Sequence, residues 1–453
     1  MLYLKNHTMQ SIMLKKMLLT AGATALFFVT GTFSVAAQSL VDQQSDSLIA
    51  SHKVVHIDGR PADAANQHYV DSVRQLISHF YYDQFRSFSD PAAPYFLFMS
   101  KDANLAMGIG GCVRLRGYYD WGGAIPASAF APYLIPMNPK PNKMRHFDTT
   151  PAGSTLFFRV IGRNKTLGEY QLYIEANFNG YQGRDFHLKK AYALINDFTV
   201  GYASSTFSDP AALPPTVDAN GPNNKISPTR VLIRYMPTVK RWTFAVSLET
   251  PESQIDADNS TTEVMDAWLP DAAAFVQYAW GRSEHVRLAA IVRALGYRDL
   301  VAQTNHNVAG WGLQLSSVAH PLPPLTTYAT ISYGKGYGSL GGDLLVGNYD
   351  LVARADQPGR LYAPASLGYS LGLQYNFWPN LFASATFSQN RYLPDGAIDG
   401  REYKYGMFAC INLFWNMTPR MQVGAELDWA RRQNFDRTHR NAHRAGLMAQ
   451  FSF

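Results

Sequence analysis

Apolar and polar side chains alternate along the end of the chain, and the alternation finishes on an aromatic carboxy terminus, Phe453. Between positions 442 and 453, Leu447 and Phe451 are typical of the odd positions, whereas Arg444 and Gln450 are typical of the even ones. Neighbouring side chains of a β-strand point to opposite faces, so this segment has one face suited to lipid and one suited to water. Positions 421–429 repeat the pattern, and two such segments in succession predict a membrane-spanning β-barrel.

Beyond its amino-terminal segment, the chain favours strands over helices as membrane-crossing elements. No uninterrupted apolar segment reaches the length of a spanning helix, although 47% of the residues are hydrophobic and 13% are aromatic. A closed barrel satisfies its backbone polar groups inside lipid with strands of only about 9 to 11 residues. The sequence therefore predicts an all-β protein, a transmembrane antiparallel barrel.

The first 37 residues have the order of a secretory signal. Lys15 and Lys16 precede an apolar core at positions 17–29, and small residues follow up to Ala37, just before Gln38. We predict a signal peptide at residues 1–37, cleaved near Ala37, and hence export of the chain. An uncleaved anchor is the alternative, but the apolar core is shorter than the roughly 20 residues that a spanning helix needs.

Residues 38–100 are interpreted as a periplasmic lead-in to the barrel, which occupies residues 101–453. Positions 38–65 are polar and small, and positions 66–85 carry apolar residues at spacings of three and four, which predicts a short amphipathic helix. The stripe comprises Tyr69, Val73, Leu76, Ile77 and Phe80. Such a helix either promotes oligomerisation, or plugs the barrel, or packs against its own barrel.

About sixteen strands are predicted, an even number as expected for a single-chain bacterial barrel. Their connections alternate between short turns and long loops, which is typical of periplasmic turns and outer loops. The predicted strands start near Leu105, Ser154, Glu169, Asp185, Phe198, Thr229, Arg241, Asp271, His285, Gly310, Leu325, Gly368, Leu381, Glu402, Arg420 and Ala442.

Period-two alternation assigns most charged residues to the inward face. Placing Arg or Lys at the lipid-facing midplane would cost about 2 to 4 kcal/mol, so a lumenal position is strongly favoured. The inward basic residues are Arg114, Arg116, Arg159, Lys189, Arg230, Arg234, Arg241, Arg287, Arg293, Lys404, Arg432 and Arg444. The inward acids are fewer: Asp120, Glu175, Glu249, Glu426 and Asp428.

An excess of inward Arg leads to the hypothesis of a channel for small anions, because guanidinium groups match carboxylate or phosphate oxygens. The alternatives are that these residues pair with inward acids, or that they line a general pore. The long segment 206–228 is rich in Pro, Gly and Asn and has no strand pattern. It either folds inward and narrows the pore or forms an exposed outer loop.

Other classes of function receive little support. The net charge of +6 is modest for 453 residues, so nucleic acid is not suggested. No catalytic or metal-binding motif is found, and we expect neither enzymatic activity nor a cofactor. Cys112 and Cys410 are predicted on strands that are not neighbours, so we interpret them as wall residues rather than a disulfide.

Two stretches of sequence are similar to known porin families. Positions 107–121, MGIGGCVRLRGYYDW, and the elements STFSD, PPTVD and NGP within positions 201–222 resemble DcaP-like outer-membrane porins. Positions 185–193, DFHLKKAYA, followed by TVGY at 199–202, are similar to the phosphate-selective porins.

The DcaP-like resemblance implies a sixteen-stranded trimeric channel of the bacterial outer membrane with an amino-terminal periplasmic helix, passing small anions such as dicarboxylates. It also implies that Asp209 and Asp218 shape the 206–228 loop, and that the barrel-assembly machinery recognises Phe453. We therefore expect a passive porin in outer-membrane lipid. A non-selective general porin, or a surface adhesin or scaffold barrel with a plugged lumen, remains the alternative.

Overall fold

A computed structural model describes residues 54–56, 83–91, 94, 96–100, 104–125, 127–164, 166–180, 183–281, 283–354, 356–396 and 398–453. All of them belong to one compact unit, Gln43–Phe453. Most of the amphipathic helix expected at 66–85 lies outside the described residues, and its described last three residues, 83–85, form a turn. Within the described residues, no helix is long and apolar enough to cross a membrane.

Sixteen antiparallel strands, labelled β1 to β16, form the wall in the described part of the chain. They are Leu105–Trp121, Thr155–Asn164, Gly168–Asn179, Asp185–Ile195, Phe198–Ser204, Thr229–Tyr235, Trp242–Glu249, Asp271–Ala279, His285–Asp299, Thr304–Leu322, Leu325–Lys335, Ala365–Trp378, Leu381–Leu393, Tyr403–Asn416, Met421–Asn434 and His439–Ser452. Each strand pairs with the next, and β16 pairs with β1 from His443↔Trp121 to Ser452↔Cys112, which closes the barrel. The predicted fold class and strand number are confirmed.

The alternation of side chains determines the two faces of this wall. Apolar residues such as Leu172, Val246 and Leu371 are exposed on the outside, as is Leu447 near the carboxy terminus. Polar and charged residues at the intervening positions are buried on the inside. A wall that is apolar outside and polar inside is the arrangement of a membrane-spanning barrel.

The two ends of the barrel differ in the length of their connections. Turns such as 196–197, 323–324 and 379–380 join strands at what we call the short-turn end. Connections 122–154, 205–228, 250–270 and 336–364 lie at the opposite, long-loop end. A further short strand, Arg145–Thr150, extends the wall there by pairing with the end of β1.

The carboxy terminus completes the wall together with a segment from before the barrel. Phe453 exchanges backbone hydrogen bonds with Gly111, at 2.8 and 2.9 Å. The strand Phe96–Met99 then pairs with the beginning of β1, from Phe96↔Ile109 to Met99↔Ala106. A side chain at Gly111 would meet the Thr155 carbonyl oxygen at 2.1 Å, so only glycine allows the strands to approach this closely.

Candidate functional site: the basic interior of the barrel

The 205–228 loop, called the inner loop below, crosses the interior of the barrel. Its beginning is held by β7, because the Thr206 N–H donates to Glu249 at 2.8 Å. Further along, the Pro215 carbonyl accepts a hydrogen bond from Ser384 of β13 at 2.9 Å. Its tip is held by Glu426 of β15, which accepts the backbone N–H groups of residues 217 and 218. The loop therefore spans the lumen and narrows it.

Two other outer loops fill the long-loop end. Asp350 of the 336–364 loop lies 3.0 Å from the Arg293 guanidinium of β9. In the 122–154 loop, the carbonyl groups of residues 127 and 128 accept hydrogen bonds from Arg444 of β16. Asp343 joins the 336–364 loop to the inner loop, because it accepts a hydrogen bond from Asn223 at 2.8 Å.

The segment 83–91, called the amino-terminal insert below, also lies inside the barrel. Phe85 packs on Phe275 of β8 with ring centroids 6.3 Å apart, and the Arg234 guanidinium of β6 lies 4.0 Å from its ring. On other sides of the barrel, the Phe88 ring contacts Phe382 and Phe414. The segment thus contacts inward side chains on several sides of the barrel wall. These contacts place this part of the predicted periplasmic lead-in within the lumen.

Three of the predicted inward arginines hold the inserted loops and are themselves buried. Arg287 lies 3.5 Å from Asp209 of the inner loop. Arg293 binds Asp271 and Asp350, each at 3.0 Å. These charges are neutralised by acids and therefore anchor loops rather than attract solutes. Arg444 belongs to the same group, because it binds Asp120 and Asp218.

A second group of predicted residues forms other ion pairs inside the barrel. Arg159 lies 3.7 Å from Asp83 of the amino-terminal insert, and Arg230 pairs with Glu252. A bulge in β4, where the pairing with β3 slips after Glu175, brings both Lys189 and Lys190 to the inward side. Lys189 lies 2.5 Å from Asp90 and 2.8 Å from Glu175, and Lys190 lies 3.4 Å from Asp90. Lys190 was missed by strict alternation.

Several cations have no carboxylate within 4 Å among the described residues, and four of these are Arg114, Arg116, Arg234 and Lys225. Arg114 donates to Gln450 and to the Ser89 carbonyl, and Arg116 donates to two backbone carbonyls, of which that of Ala152 is at 3.0 Å. The Nε atoms of Arg116 and Arg234 have no hydrogen-bond partner. These four residues are the candidate anion site of the interior.

Lys225 was not predicted, because it lies on the inner loop, where period-two alternation gives no information. It is half-buried, and its Nζ donates to the Ala219 carbonyl at 3.3 Å. Burial lowers its pKa, and Lys189 and Arg116 act in the same direction, whereas Asp90 and Asp218 raise it. Lys225 is therefore a cation in the middle of the lumen with basic neighbours.

The remaining predicted cations, Arg241, Lys404 and Arg432, belong neither to the ion pairs described above nor to the candidate anion site. Arg241 is exposed in the turn between β6 and β7, so the inward assignment is wrong for this residue, because alternation applies only within a strand. Lys404 is half-buried at a bulge of β14 near the long-loop end, with Nζ 5.6 Å from the ring of Phe435. Arg432 donates to the Tyr133 carbonyl of the 122–154 loop.

The inner loop places its two aspartates on opposite sides of the lumen. Asp209 accepts hydrogen bonds from His285 and Ser316, at 2.8 and 2.5 Å. Burial alone would raise its pKa, but Arg287 and the His285 hydrogen bond outweigh burial and keep the pKa well below its usual range. Asp218 lies 3.0 Å from Arg444. Both carboxylates thus fasten the loop to basic wall residues.

The inserted segments carry mostly acids, whereas the wall carries more bases. The acids that they bring into ion pairs are Asp83, Asp90, Asp209, Asp218 and Asp350. Their presence neutralises part of the positive charge expected from the wall alone. The alternative of inward pairing holds for half of the predicted arginines, namely Arg159, Arg230, Arg287, Arg293 and Arg444. Arg114, Arg116, Arg234 and Lys225 are among the cations that keep no carboxylate partner within 4 Å in the described part of the chain.

Comparisons with known proteins find structures similar to this barrel. No family model matches the chain, and no curated protein sequence matches it. The chain is similar to the outer membrane channel DcaP of Acinetobacter baumannii, with a TM-score of 0.64, 19% identity, and coverage of 79% of this chain and 99% of that one. It is also similar to an anion-selective porin from Comamonas acidovorans, with a TM-score of 0.51, 10% identity, and coverage of 77% and 100%. At these identities the likeness concerns the fold, and the chain has the β-barrel fold of outer-membrane porins.

Proposed function

We propose that this protein is an outer-membrane porin through which small anions, including dicarboxylates, diffuse passively. The observation that carries the proposal is the group of lumenal cations without a carboxylate partner, Arg114, Arg116, Arg234 and Lys225. The fold is that of channels, and one of the two similar structures is an anion-selective porin. The dicarboxylate preference rests on the sequence resemblance to DcaP-like porins.

The charges would act on solutes through the field inside the barrel. A cleft lined by one sign of charge, with walls of low dielectric constant, raises the local concentration of ions of opposite sign. Arg114 and Arg116 share the inward face of β1, and guanidinium groups bind carboxylates in a bidentate manner. Lys225 on the inner loop faces the same region, so an anion would pass from one cation to the next.

The rest of the chain fits this proposal as follows. Residues 1–37 would direct export and be removed, residues 38–100 would form the periplasmic lead-in whose last part enters the barrel, and residues 101–453 would span the outer membrane. A homotrimer and recognition of Phe453 by the barrel-assembly machinery are further parts of the proposal, supported by the family resemblance. The exposed apolar wall supports residence in lipid.

Liposome swelling tests the proposal. Vesicles containing the purified protein should admit a dicarboxylate faster than a neutral sugar of similar size, and Arg114→Gln with Arg116→Gln should reduce this preference. Arg241→Gln, which removes an exposed arginine from a turn, is the matched control and should leave uptake unchanged. Equal uptake of anions and sugars by the wild type would contradict anion selectivity.

A scaffold barrel with a plugged lumen is the second candidate. It is favoured by the amount of chain inside the barrel, where the inner loop, two outer loops and the amino-terminal insert meet. Single-channel recordings separate the two candidates, because a permanently plugged barrel shows no conductance steps. A non-selective general porin would show steps without preference for anions.

A further inference from the structure

Three potential metal ligands meet on the inward face of β14 and β15. Cys410 is directly opposite Asp428 in the pairing of these strands, and Glu426 precedes Asp428 by two positions on the same face. Their ligand atoms all lie within 4.8 Å of one another, and all three residues are buried. Cys410 is a free thiol.

Asp428 has an unsatisfied carboxylate. The residue is 4% exposed, and neither of its oxygens accepts a hydrogen bond among the described residues. An ionised carboxylate buried without a partner is costly, so a cation or a proton is required there. Both Asp428 and Glu426 line a small cavity between the wall and the inner loop.

The nearest arginine does not supply this cation. Arg444 faces Asp428 across the strand pairing, but its guanidinium is directed elsewhere. It donates through Nε and Nη2 to Asp120, through Nη1 to Asp218, and through both Nη atoms to backbone carbonyls. A guanidinium has five donors, and all of them are used. Arg444 has no donor left for Asp428.

The charges around the cavity are out of balance. Four carboxylates and two guanidinium groups belong to this cluster: Asp120, Asp218, Glu426 and Asp428, with Arg116 and Arg444. If all were ionised, the cluster would carry an excess of two negative charges, and a Cys410 thiolate would add a third. This excess favours binding of a divalent cation.

We propose that Cys410, Glu426 and Asp428 bind a divalent metal ion of borderline softness, of which zinc is the model case. One thiolate and two carboxylates form a ligand set that suits zinc, and a water molecule would take the fourth position. Binding would release the thiol proton to solvent, since the thiolate is the ligand. The proposal does not rest on the proposed transport function, although Arg116 belongs both to this charge cluster and to the candidate anion site.

The proposed ion would stabilise the tip of the inner loop. Glu426 already accepts the N–H groups of Val217 and Asp218, at 2.8 and 2.6 Å, so it would connect the metal to the loop. Oε2 of Glu426 also accepts a hydrogen bond from Asn412, whereas Oε1 accepts the Asp218 N–H and has a second lone pair available for the metal. Metal binding would then hold the loop against β15.

Cobalt(II) titration of the folded, metal-depleted barrel tests the site. We expect a near-ultraviolet thiolate-to-cobalt charge-transfer band that saturates at one equivalent. Zinc should displace it, Cys410→Ser should abolish it, and Asp428→Asn should weaken cobalt affinity at least tenfold. Cys112→Ser is the matched control, because Cys112 is the other buried thiol and lies near the Gly153 carbonyl instead.

Absence of the band in the folded wild-type protein would overturn the proposal, as would a band of equal strength in Cys410→Ser. Infrared spectroscopy identifies the competing arrangement, in which a proton occupies the acid pair. A protonated-carboxyl stretch that persists in the presence of excess zinc and is lost in Asp428→Asn would favour the proton and reject the metal. Folding of each variant is checked by the heat-modifiable migration typical of intact barrels.

Discussion

Asp90→Asn should release the amino-terminal insert from the lumen. Asp90 contacts both Lys189 and Lys190, at 2.5 and 3.4 Å, and Glu175 lies farther from Lys190, at 4.0 Å. Burial opposes its ionisation, but the two lysines outweigh burial and keep its pKa well below the usual range. Asp90 is therefore ionised at neutral pH, and the substitution removes a full negative charge from the lysine pair.

The size of the effect follows from the burial of this ion pair. Removing one partner of a buried pair costs about 3 to 5 kcal/mol, because the other charge is left uncompensated. Glu175 remains 2.8 Å from Lys189 and compensates in part, so we expect the lower end of this range. A change of about 3 kcal/mol shifts the equilibrium between the inserted and displaced segment roughly 100-fold.

Single-channel recording in planar bilayers measures this shift. Asp90→Asn should spend more time in a state of higher conductance, with a stronger preference for anions, because two lysines gain free charge. Asp395→Asn is the matched control, since Asp395 lies 3.2 Å from Lys335 in an exposed pair outside the lumen. Exposed pairs contribute about 0 to 1 kcal/mol. If Asp90→Asn behaves like Asp395→Asn, the insert does not obstruct the channel.

Three further perturbations test the loops and the wall. Burial raises the pKa of Asp343 to about 7 in the folded protein, above the usual value of about 4 for the unfolded chain. The folded state therefore binds the proton more tightly, and the free energy of unfolding is highest below pH 4. It falls between pH 4 and 7 and is lower by roughly 4 kcal/mol above pH 7. Asp343→Asn should therefore melt at a higher temperature than the wild type at pH 8 but not at pH 4, and an equal difference at both pH values would refute this. Gly372→Ala places a Cβ 2.6 Å from Pro214 of the inner loop, so the loop should shift and conductance should change, whereas an unchanged conductance would show that the loop does not limit passage. Leu115→Arg puts a charge on the lipid face and should destabilise the folded barrel by about 2 to 4 kcal/mol in urea titrations in lipid, less if this position lies near the interface.

Local alternation was sufficient to predict the wall of this protein. Fifteen of the sixteen strand starts differ from the predicted ones by at most three residues, and β10 begins at Thr304 rather than near Gly310. Strand boundaries depend on loop contacts that a period-two pattern does not contain. Arg241 shows the same limit, because a residue one position before a strand has no defined face.

The pairing of charged residues inside the barrel was not predictable from the alternation of side chains. Arg287 and Asp209 are far apart in sequence and meet only because the inner loop folds back into the lumen. Arg293 and Asp350 are also distant in sequence and meet only because the 336–364 loop folds against the wall. Sequence alone therefore overestimated the free positive charge on the wall and missed Lys225, whose role depends on where the loop places it.

The reversal potential across a bilayer that separates two concentrations of potassium chloride tests the central claim most directly. If the lumenal cations without carboxylate partners select the permeating ion, the potential should have the sign of chloride selectivity. Replacing Arg114, Arg116 and Lys225 by Gln should move it toward zero. A potential with the sign of potassium selectivity, or a wild-type barrel that never conducts, would contradict the account.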